Sequence, residues 1–513
     1  MGTASAEQRA FKNAAVGAIS FSMTMAQTII LVPILLKYWG KETYGLWLIL
    51  MAGFSLLQTL NLGHQSFIGN ELNVQYHLDI EDFREILGSS LLVALALGAF
   101  EIFICAVIIL SGTIHNFLGV SSPAVAAQHL SPALFVLMVM WMVSGSVGGI
   151  LVRVMIPTGQ LCQSQWWGIL ARFVQFLTLV LCAIGKANIL TACIYYSISQ
   201  LVVSLLVFRY IRDEFPGIYP WWKKSNFRRG MAGLKKSFVL TINSVGQQIS
   251  NNGLIIFISN IFSSSVVPAF TTLRTLTNTA NTITGILVGA LFPDMIRYHA
   301  KRETTKLEGV FNVNWFLSGL LVNCGIVMTL PVVKSLYQIW TKGFLGFNPG
   351  LFFLLACAIS ISNFGSALNM YLHGINDLTA QVVISASRMI ALFGMGYLLR
   401  ERLGILSIGV GVVSGEILAS VILPVIYVNN QLSGFGSGLN LWQTVFALLP
   451  PTIMLISGVF VVRYGVDLRS VSAILSPVMA TIYGVSWNFL HPEIKTRLRA
   501  LISSMKNRFL LAF

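Results

Sequence analysis

Charge is scarce in this chain. Only 10% of its 513 residues are Asp, Glu, Lys or Arg, against about 25% in an ordinary soluble domain, too few to cover the surface of a water-soluble protein of this length. Cysteine is sparse too: Cys105, Cys162, Cys182, Cys193, Cys324 and Cys357 show no C-x-x-C spacing. Five of them lie in apolar runs, where a thiol behaves as a small hydrophobe, so neither a disulfide framework nor a metal site is expected. There is no P-loop, no G-x-S-x-G and no H-E-x-x-H, and with them go the usual signals of nucleotide hydrolysis and of nucleophilic or metal catalysis. No enzyme activity and no cofactor are expected, beyond H+ or Na+ as a coupling ion. Acidic residues are the scarcer sign, 18 against 33 basic, leaving a net charge of +15. Cytoplasmic loops of membrane proteins collect Lys and Arg and anionic headgroups attract them, which accounts for the excess without a nucleic-acid partner.

What is abundant is apolar: 55% of residues are hydrophobic and the mean hydropathy is +0.77. Runs long enough to cross a bilayer recur about fourteen times, which predicts an all-α polytopic membrane protein in contact with membrane lipids. The first run, from Ala14 to Leu36, is long enough to span and reads as a transmembrane helix rather than a cleavable signal. Placing the N-terminus inside puts about two thirds of the basic residues in cytoplasmic segments, so both termini are expected there. The segment from Arg209 to Lys236 holds Arg209, Arg212, Lys223, Lys224, Arg228, Arg229, Lys235 and Lys236 beside Trp221 and Trp222, and reads as a basic cytoplasmic linker. Six expected helices precede it and six follow. Lys12 to Tyr44 and Lys236 to Pro268 share one spacing of helix, short loop and next helix, as parallel repeats would.

The expected organisation is therefore an N-lobe (1–208, six helices), the linker (209–236), a C-lobe (237–427, six helices), an extra helical pair (428–490) and an amphipathic tail (491–513), with the two six-helix lobes around a central cavity. In the tail Ile494, Leu498, Leu501, Ile502, Met505 and Phe509 recur at helical spacing among Lys495, Arg497, Arg499, Lys506 and Arg508, a membrane-surface pattern. No outer loop exceeds about 20 residues, which leaves no room for the extramembrane domain that a glycan polymerase or ligase usually needs.

Ionisable groups within spans cost at least about 2.5–3.5 kcal/mol each and need a cavity, a partner or a route to the interface. Glu101, Arg172, Arg274, Arg388 and Glu416 are such groups. Arg172 falls ~9 Å from its inner helix end, within snorkelling reach. Thr271, Arg274, Asn278 and Asn281 form one polar stripe on the eighth helix. Similar stripes are Ser244, Gln248, Asn251 and Asn252 on the seventh, Ser20, Thr24 and Gln27 on the first, and Ser362, Ser366, Asn369 and His373 on the tenth. Interhelical hydrogen bonding explains any one stripe; several stripes with buried arginines point to a hydrated cavity. Arg274 and Arg388 offer guanidinium forks suited to phosphate or carboxylate. Gln27, Gln248, Asn251, Asn278, Asn281 and Asn369 are the candidate polar lining. Glu101 and Glu416, near the expected midplane, are candidates either to pair with an arginine or to take a coupling ion. His373 reads as an interfacial histidine at a helix end.

At Tyr44-Gly45-Leu46-Trp47-Leu48-Ile49-Leu50, followed by Leu60-Asn61-Leu62-Gly63 and Gly69-Asn70-Glu71-Leu72, the chain resembles the Wzx-type polysaccharide flippases of the multidrug/oligosaccharidyl-lipid/polysaccharide exporter superfamily. Lys12-Asn13 and Val32-Pro33-Ile34-Leu35-Leu36 resemble the opening of that family. Asn251-Asn252-Gly253 leading into Ile255-Ile256-Phe257-Ile258-Ser259-Asn260, with Leu291-Phe292-Pro293, resembles its second half. The resemblance covers roughly residues 10 to 427. It implies translocation of an undecaprenyl-pyrophosphate-linked oligosaccharide, an O-antigen or related lipopolysaccharide repeat unit, across the bacterial inner membrane by ion-coupled alternating access, alongside polysaccharide polymerase machinery. Two departures stand out: relatives often carry an acidic residue near Asn252-Gly253, and many have twelve helices. The extra pair is similar to that of lipid II flippases, and a drug or cation antiporter of the same superfamily is the other alternative.

Overall fold

The computed structural model of the protein describes residues 6–439, 441–488 and 495, and the described chain is helical almost throughout, with no strand among those residues. Eleven described stretches, from Ile19–Leu57 to Leu468–Asn488, are long and apolar enough to cross a membrane, which makes this a multi-pass membrane protein. The first of them holds two expected spans. Helix α1 (Ala6–Leu57) breaks at Gly40, whose φ of 73° and ψ of 175° leave the helical region in a conformation that costs glycine little. Five residues on, a Cβ at Gly45 would stand 2.3 Å from the Ser264 carbonyl oxygen, so the glycine of the Tyr-Gly-Leu-Trp segment is fixed by close backbone approach.

Packing divides the chain into two units, one reaching to Pro268 and including Gln338–Leu345, the other formed by Ala269–Tyr337 and the residues from Gly346 onward. The first unit contains α1, α2 (Thr59–Leu78), α3 (Ile80–Leu110), a fourth span of α4 (Ser131–Trp141), a π segment (Met142–Val147) and α5 (Gly148–Val152), then α6 (Leu161–Ile184) and α7 (Ile189–Glu214). The seventh span is α8 (Phe227–Gln248), a π segment (Ile249–Gly253) and α9 (Leu254–Ile261). Ile68, Leu72, Phe83, Leu87, Ile150, Val154, Val207 and Ile211 make the core.

The packing boundary at Pro268 is a different division from the repeat-based one at the linker, because α8 is stitched to α2 and α3. A Cβ on Gly63 would lie 2.4 Å from the Thr241 Cα, and one on Gly230 would lie 2.6 Å from the Ser89 carbonyl oxygen. Asn226 caps α8 through its Oδ1 while its own N–H donates to the Ser89 hydroxyl at 2.9 Å. Arg229 pairs with Asp82 and, at 3.1 Å, with Glu85, and Lys224 pairs with Glu81. The end of the expected linker, 227–236, is thus the first turns of α8, with Arg229 and, just before the helix, Lys224 matched to the acidic start of α3.

The second unit runs through α10 (Val267–Ala300), α11 (Thr304–Gly319), a π segment (Leu320–Cys324), α12 (Gly325–Trp340), α13 (Pro349–Gly374) and α14 (Leu378–Leu398). A twelfth span of α15 (Leu406–Glu416), a π segment (Ile417–Ile422) and α16 (Leu423–Ser433) follows, then α17 (Leu441–Tyr464) and α18 (Leu468–Asn488). Its core gathers Met295, Phe311, Trp315, Phe364, Leu368, Tyr371, Ile384 and Ala419, with Trp315 stacked on Phe364 at 4.7 Å. The extra pair is integral to this core. Gly458 leaves room for Phe353, whose Cβ would be 2.6 Å from an added methyl. The Tyr483 hydroxyl accepts from Asn323 at 2.8 Å. The amphipathic tail expected over 491–513 lies outside the described residues.

Candidate functional site

Glycines decide where the charged groups of the second unit meet. On α15, Gly411 and Gly415 face α14 so closely that a Cβ would fall 2.4 Å from the Leu392 carbonyl oxygen and 3.0 Å from that of Arg388, the small-residue packing that lets membrane helices touch backbone to backbone. Gly365 on α13 does the same against Ser420, 2.4 Å from its Cα. Arg388 is therefore pressed against the end of α15. There its Nη2 lies 3.2 Å from the Glu416 Oε2. Ser420, one turn on, donates its hydroxyl to the same oxygen at 2.6 Å. The π segment Ile417–Ile422 begins at this point, a local unwinding frequent at functional sites, and the Ala419 carbonyl oxygen accepts from the Asn369 amide at 3.1 Å.

Arg388 is not used up by its partner. Its Nε is buried with no hydrogen-bond partner among the described residues. Arg274, half-buried on α10, feels the Glu416 charge as well. Arg388 is thus ion-paired with Glu416, and the Arg274 guanidinium lies within electrostatic range of the same carboxylate. With side-chain exposures of 27% for Arg388 and 15% for Glu416, the pair is shielded but not sealed, so a ligand can reach it. Asn278, half-buried, stands one turn beyond Arg274 on the same face of α10; the side chain of Asn281 lies outside the described residues.

Glu101 has a different environment. It is 0% exposed and accepts from the Asn61 amide at 2.9 Å, the Asn61 backbone N–H at 3.3 Å and the Trp141 indole at 3.1 Å. Ser146, in the π segment after Trp141, donates to the Asn61 Oδ1 at 3.0 Å. The carboxylate ties α2, α3 and the fourth span together and pairs with neither candidate arginine.

The other candidates of the first unit make interhelical or local bonds. Gln27 donates to the Arg172 carbonyl oxygen at 2.8 Å, and the Arg172 guanidinium donates to Ser20 at 2.5 Å, so Arg172 is anchored to α1 instead of snorkelling. Gln248 accepts from Asn252 at 2.5 Å, and Asn251 is exposed. His373 sits at the exposed end of α13 with its Nδ1 3.1 Å from the Gln381 Oε1, an end-of-helix contact as expected. The structure thus brings together Arg388, Glu416, Asn369 and Arg274 in the second unit, and leaves Gln27, Gln248, Asn251 and Glu101 in the first. Ser420 and Trp141 escaped the sequence reading, and Asn61 entered it only as part of a resemblance segment. Only Ser420 had a signal, its i+4 spacing from Glu416.

No family model and no curated protein matches this chain. Solved structures do. The inward-facing conformation of a multidrug resistance MATE family transporter of the MOP superfamily matches at a TM-score of 0.63 and 16% identity, covering 80% of this chain and 95% of that one. The outward-facing conformation of such a transporter matches at 0.57 and 15%, covering 84% and 96%. A MOP superfamily transporter from Pyrococcus furiosus, described as having a binding pocket of reverse polarity that suggests a different function, matches at 0.57 and 16%, covering 83% and 97%. The chain has a MATE-like transporter fold.

Proposed function

We propose that the protein is a flippase that moves an undecaprenyl-pyrophosphate-linked oligosaccharide, of the O-antigen or related polysaccharide type, across the bacterial inner membrane by alternating access coupled to H+ or Na+, with both termini cytoplasmic. The observation that carries this reading is the shielded ion pair of Arg388 with Glu416, in which the buried Arg388 Nε has no hydrogen-bond partner among the described residues. Guanidinium groups in a half-buried, low-dielectric setting bind diphosphate oxygens through charge-assisted, forked hydrogen bonds. A carrier for cationic drugs needs the opposite balance, an excess of carboxylate at its charged site.

On this reading Glu416 is a resident counter-ion. With no substrate it neutralises part of the cationic site, which lowers the cost of keeping two arginines in an apolar segment. An arriving diphosphate competes for the same donors. The displaced carboxylate keeps the Ser420 hydroxyl as its donor. Asn369 and Asn278 are placed to hydrogen-bond glycan hydroxyls, and the prenyl chain stays in lipid.

The test is reconstitution in liposomes, with leaflet translocation of a polyprenyl-diphosphate oligosaccharide measured with and without proton or sodium gradients. Translocation well above protein-free vesicles, lost in Arg388→Ala, is the expected result. Failure to move any of several lipid-linked glycans, together with efflux of a cationic dye, overturns the reading in favour of a drug antiporter. Preference for a peptidoglycan precursor would move the substrate to the lipid II class.

A further inference from the structure

The helical pair beyond the twelve-helix repeat does more than cover the second unit. Where α12 ends, α13 begins and α17 turns into α18, the unit has an open pocket of about 490 Å³ lined by Pro331, Phe347 and Val461 and, at its exposed rim, by Lys334, Asp467 and Arg469. That volume lies within the roughly 300–1,000 Å³ of small-ligand sites. Half of the wall comes from the extra pair, so a twelve-helix relative would lack this pocket.

Its chemistry follows from three side chains. Lys334 and Arg469 both line it, and neither makes a side-chain hydrogen bond or ion pair among the described residues. Asp467 is otherwise engaged: its Oδ2 accepts the backbone N–H of Arg469 at 3.1 Å and caps the start of α18. The turn before it depends on Gly465, which holds a φ of 64°. One carboxylate oxygen is therefore held by its own helix, and the two exposed cations give the pocket a net charge of +1 among these three side chains. Beside them Phe347 is held by an edge contact with Tyr337 and a tilted contact with Phe352, each with ring centroids 5.6 Å apart. With Pro331 and Pro349 it gives the pocket a rigid apolar wall of the kind that supports the C–H face of a small ring.

We infer that this pocket is a second binding site, one for a sugar-sized organic anion carrying a phosphate or carboxylate group. The anion meets Lys334 and Arg469 while its ring lies along Phe347. In the orientation read from the basic residues this end of the unit faces outward, where such an anion would come either from a glycan or from a phospholipid headgroup. The inference is independent of the Arg388 site and of what that site carries.

The experiment uses the full-length protein in phospholipid-free detergent, with glucose 1-phosphate as probe, glucose as the neutral control, and nanodiscs of phosphatidylglycerol or phosphatidylcholine as the lipid arm. Glucose 1-phosphate should bind and glucose should not. The combined Lys334→Gln and Arg469→Gln variant should weaken binding about tenfold or more, as expected for the loss of two charge-assisted contacts. Asp467→Asn keeps an acceptor for the α18 cap while removing a negative charge, and should tighten binding a few-fold. Loss of sugar-phosphate binding in the double variant identifies the glycan source. Loss only of the extra thermal stability given by phosphatidylglycerol identifies the headgroup source. A double variant that matches the wild type in both arms, or equal binding of glucose and glucose 1-phosphate, overturns the proposal.

Discussion

Replacing Glu416 by Gln tests the counter-ion reading most directly, because it removes the charge and keeps the shape. The carboxamide oxygen of the variant still accepts from Ser420, whose hydroxyl now reaches the carboxylate at 2.6 Å, so α15 and its π segment should fold as before. What disappears is competition. At the observed 3.2 Å two unit charges in an effective dielectric of about 20 interact by roughly 5 kcal/mol, which is a ceiling. The desolvation already paid by both groups and the residual exposure of the pair reduce the net contribution to about 1.5–3 kcal/mol. That converts into about 10- to 150-fold tighter binding of a diphosphate at neutral pH.

Titration calorimetry with a short-chain prenyl diphosphate at neutral pH reads the affinity. Glu416→Gln should bind more tightly than the wild type. Equal or weaker binding by the variant would refute the competition. Absence of diphosphate binding in both proteins would instead sink the assignment of the Arg388 site.

Three further outcomes follow from the packing. Gly411→Val drives a branched side chain into the Leu392 carbonyl oxygen, 2.4 Å from the position of the new Cβ; separating α14 from α15 should cost about 2–4 kcal/mol and be visible as a lowered melting temperature and poor detergent extraction. Glu101→Gln turns an acceptor of three donors into a group that presents an NH2 to them; it should lower the melting temperature by several degrees, a purely structural loss, whereas an unchanged melting curve with altered ion dependence of transport would make Glu101 a coupling site. His299, beyond the expected inner end of its span, has its pKa lowered from 6.5 by burial and its Nδ1 2.8 Å from the Tyr371 hydroxyl. Its folded form favours the neutral ring, so the stability it contributes is present above about pH 6.5 and is lost as pH falls. Melting curves between pH 5 and pH 7.5 should show an acid limb that His299→Phe flattens.

The sequence made some of this legible and hid the rest for identifiable reasons. Apolar run length disclosed the membrane-spanning helices, because a bilayer imposes a length that composition must meet. The costly ions were legible for the same reason, and so was the option that Glu416 pairs with an arginine. Which arginine was not, since Arg388 and Glu416 come together through Gly411 and Gly415, and a glycine announces close approach without naming what approaches. The polar stripes were read as one class but belong to several: Gln27 links α1 to α6, Gln248 bonds within its own helix, and Asn369 holds the unwound turn at Ala419. The π segments had no visible sequence signal, because one extra residue in a helical turn leaves hydrophobic periodicity nearly intact.

Two buried polar clusters, one in each unit, are closed in different ways. The third and fourth spans of the first carry Glu101 and Ser146, joined through Asn61 of α2. Six spans later, the ninth and tenth carry Asn323 and Ser360, with Ser360 donating to the Asn323 Oδ1 at 2.6 Å. There the remaining partner, Tyr483, comes from α18. The buried cluster of the first unit is thus closed by α2, and that of the second unit by the extra pair. Gly319 shows how closely the added helix is fitted, since a Cβ there would meet the Tyr483 hydroxyl at 2.8 Å. Removing α17 and α18 would leave Asn323 buried without an acceptor for its amide, a cost of about 1–3 kcal/mol before any loss of apolar packing. The extra pair is therefore part of the folded core of the second unit, and the pocket lined by Lys334 and Arg469 stands on a wall that the protein must keep for stability alone.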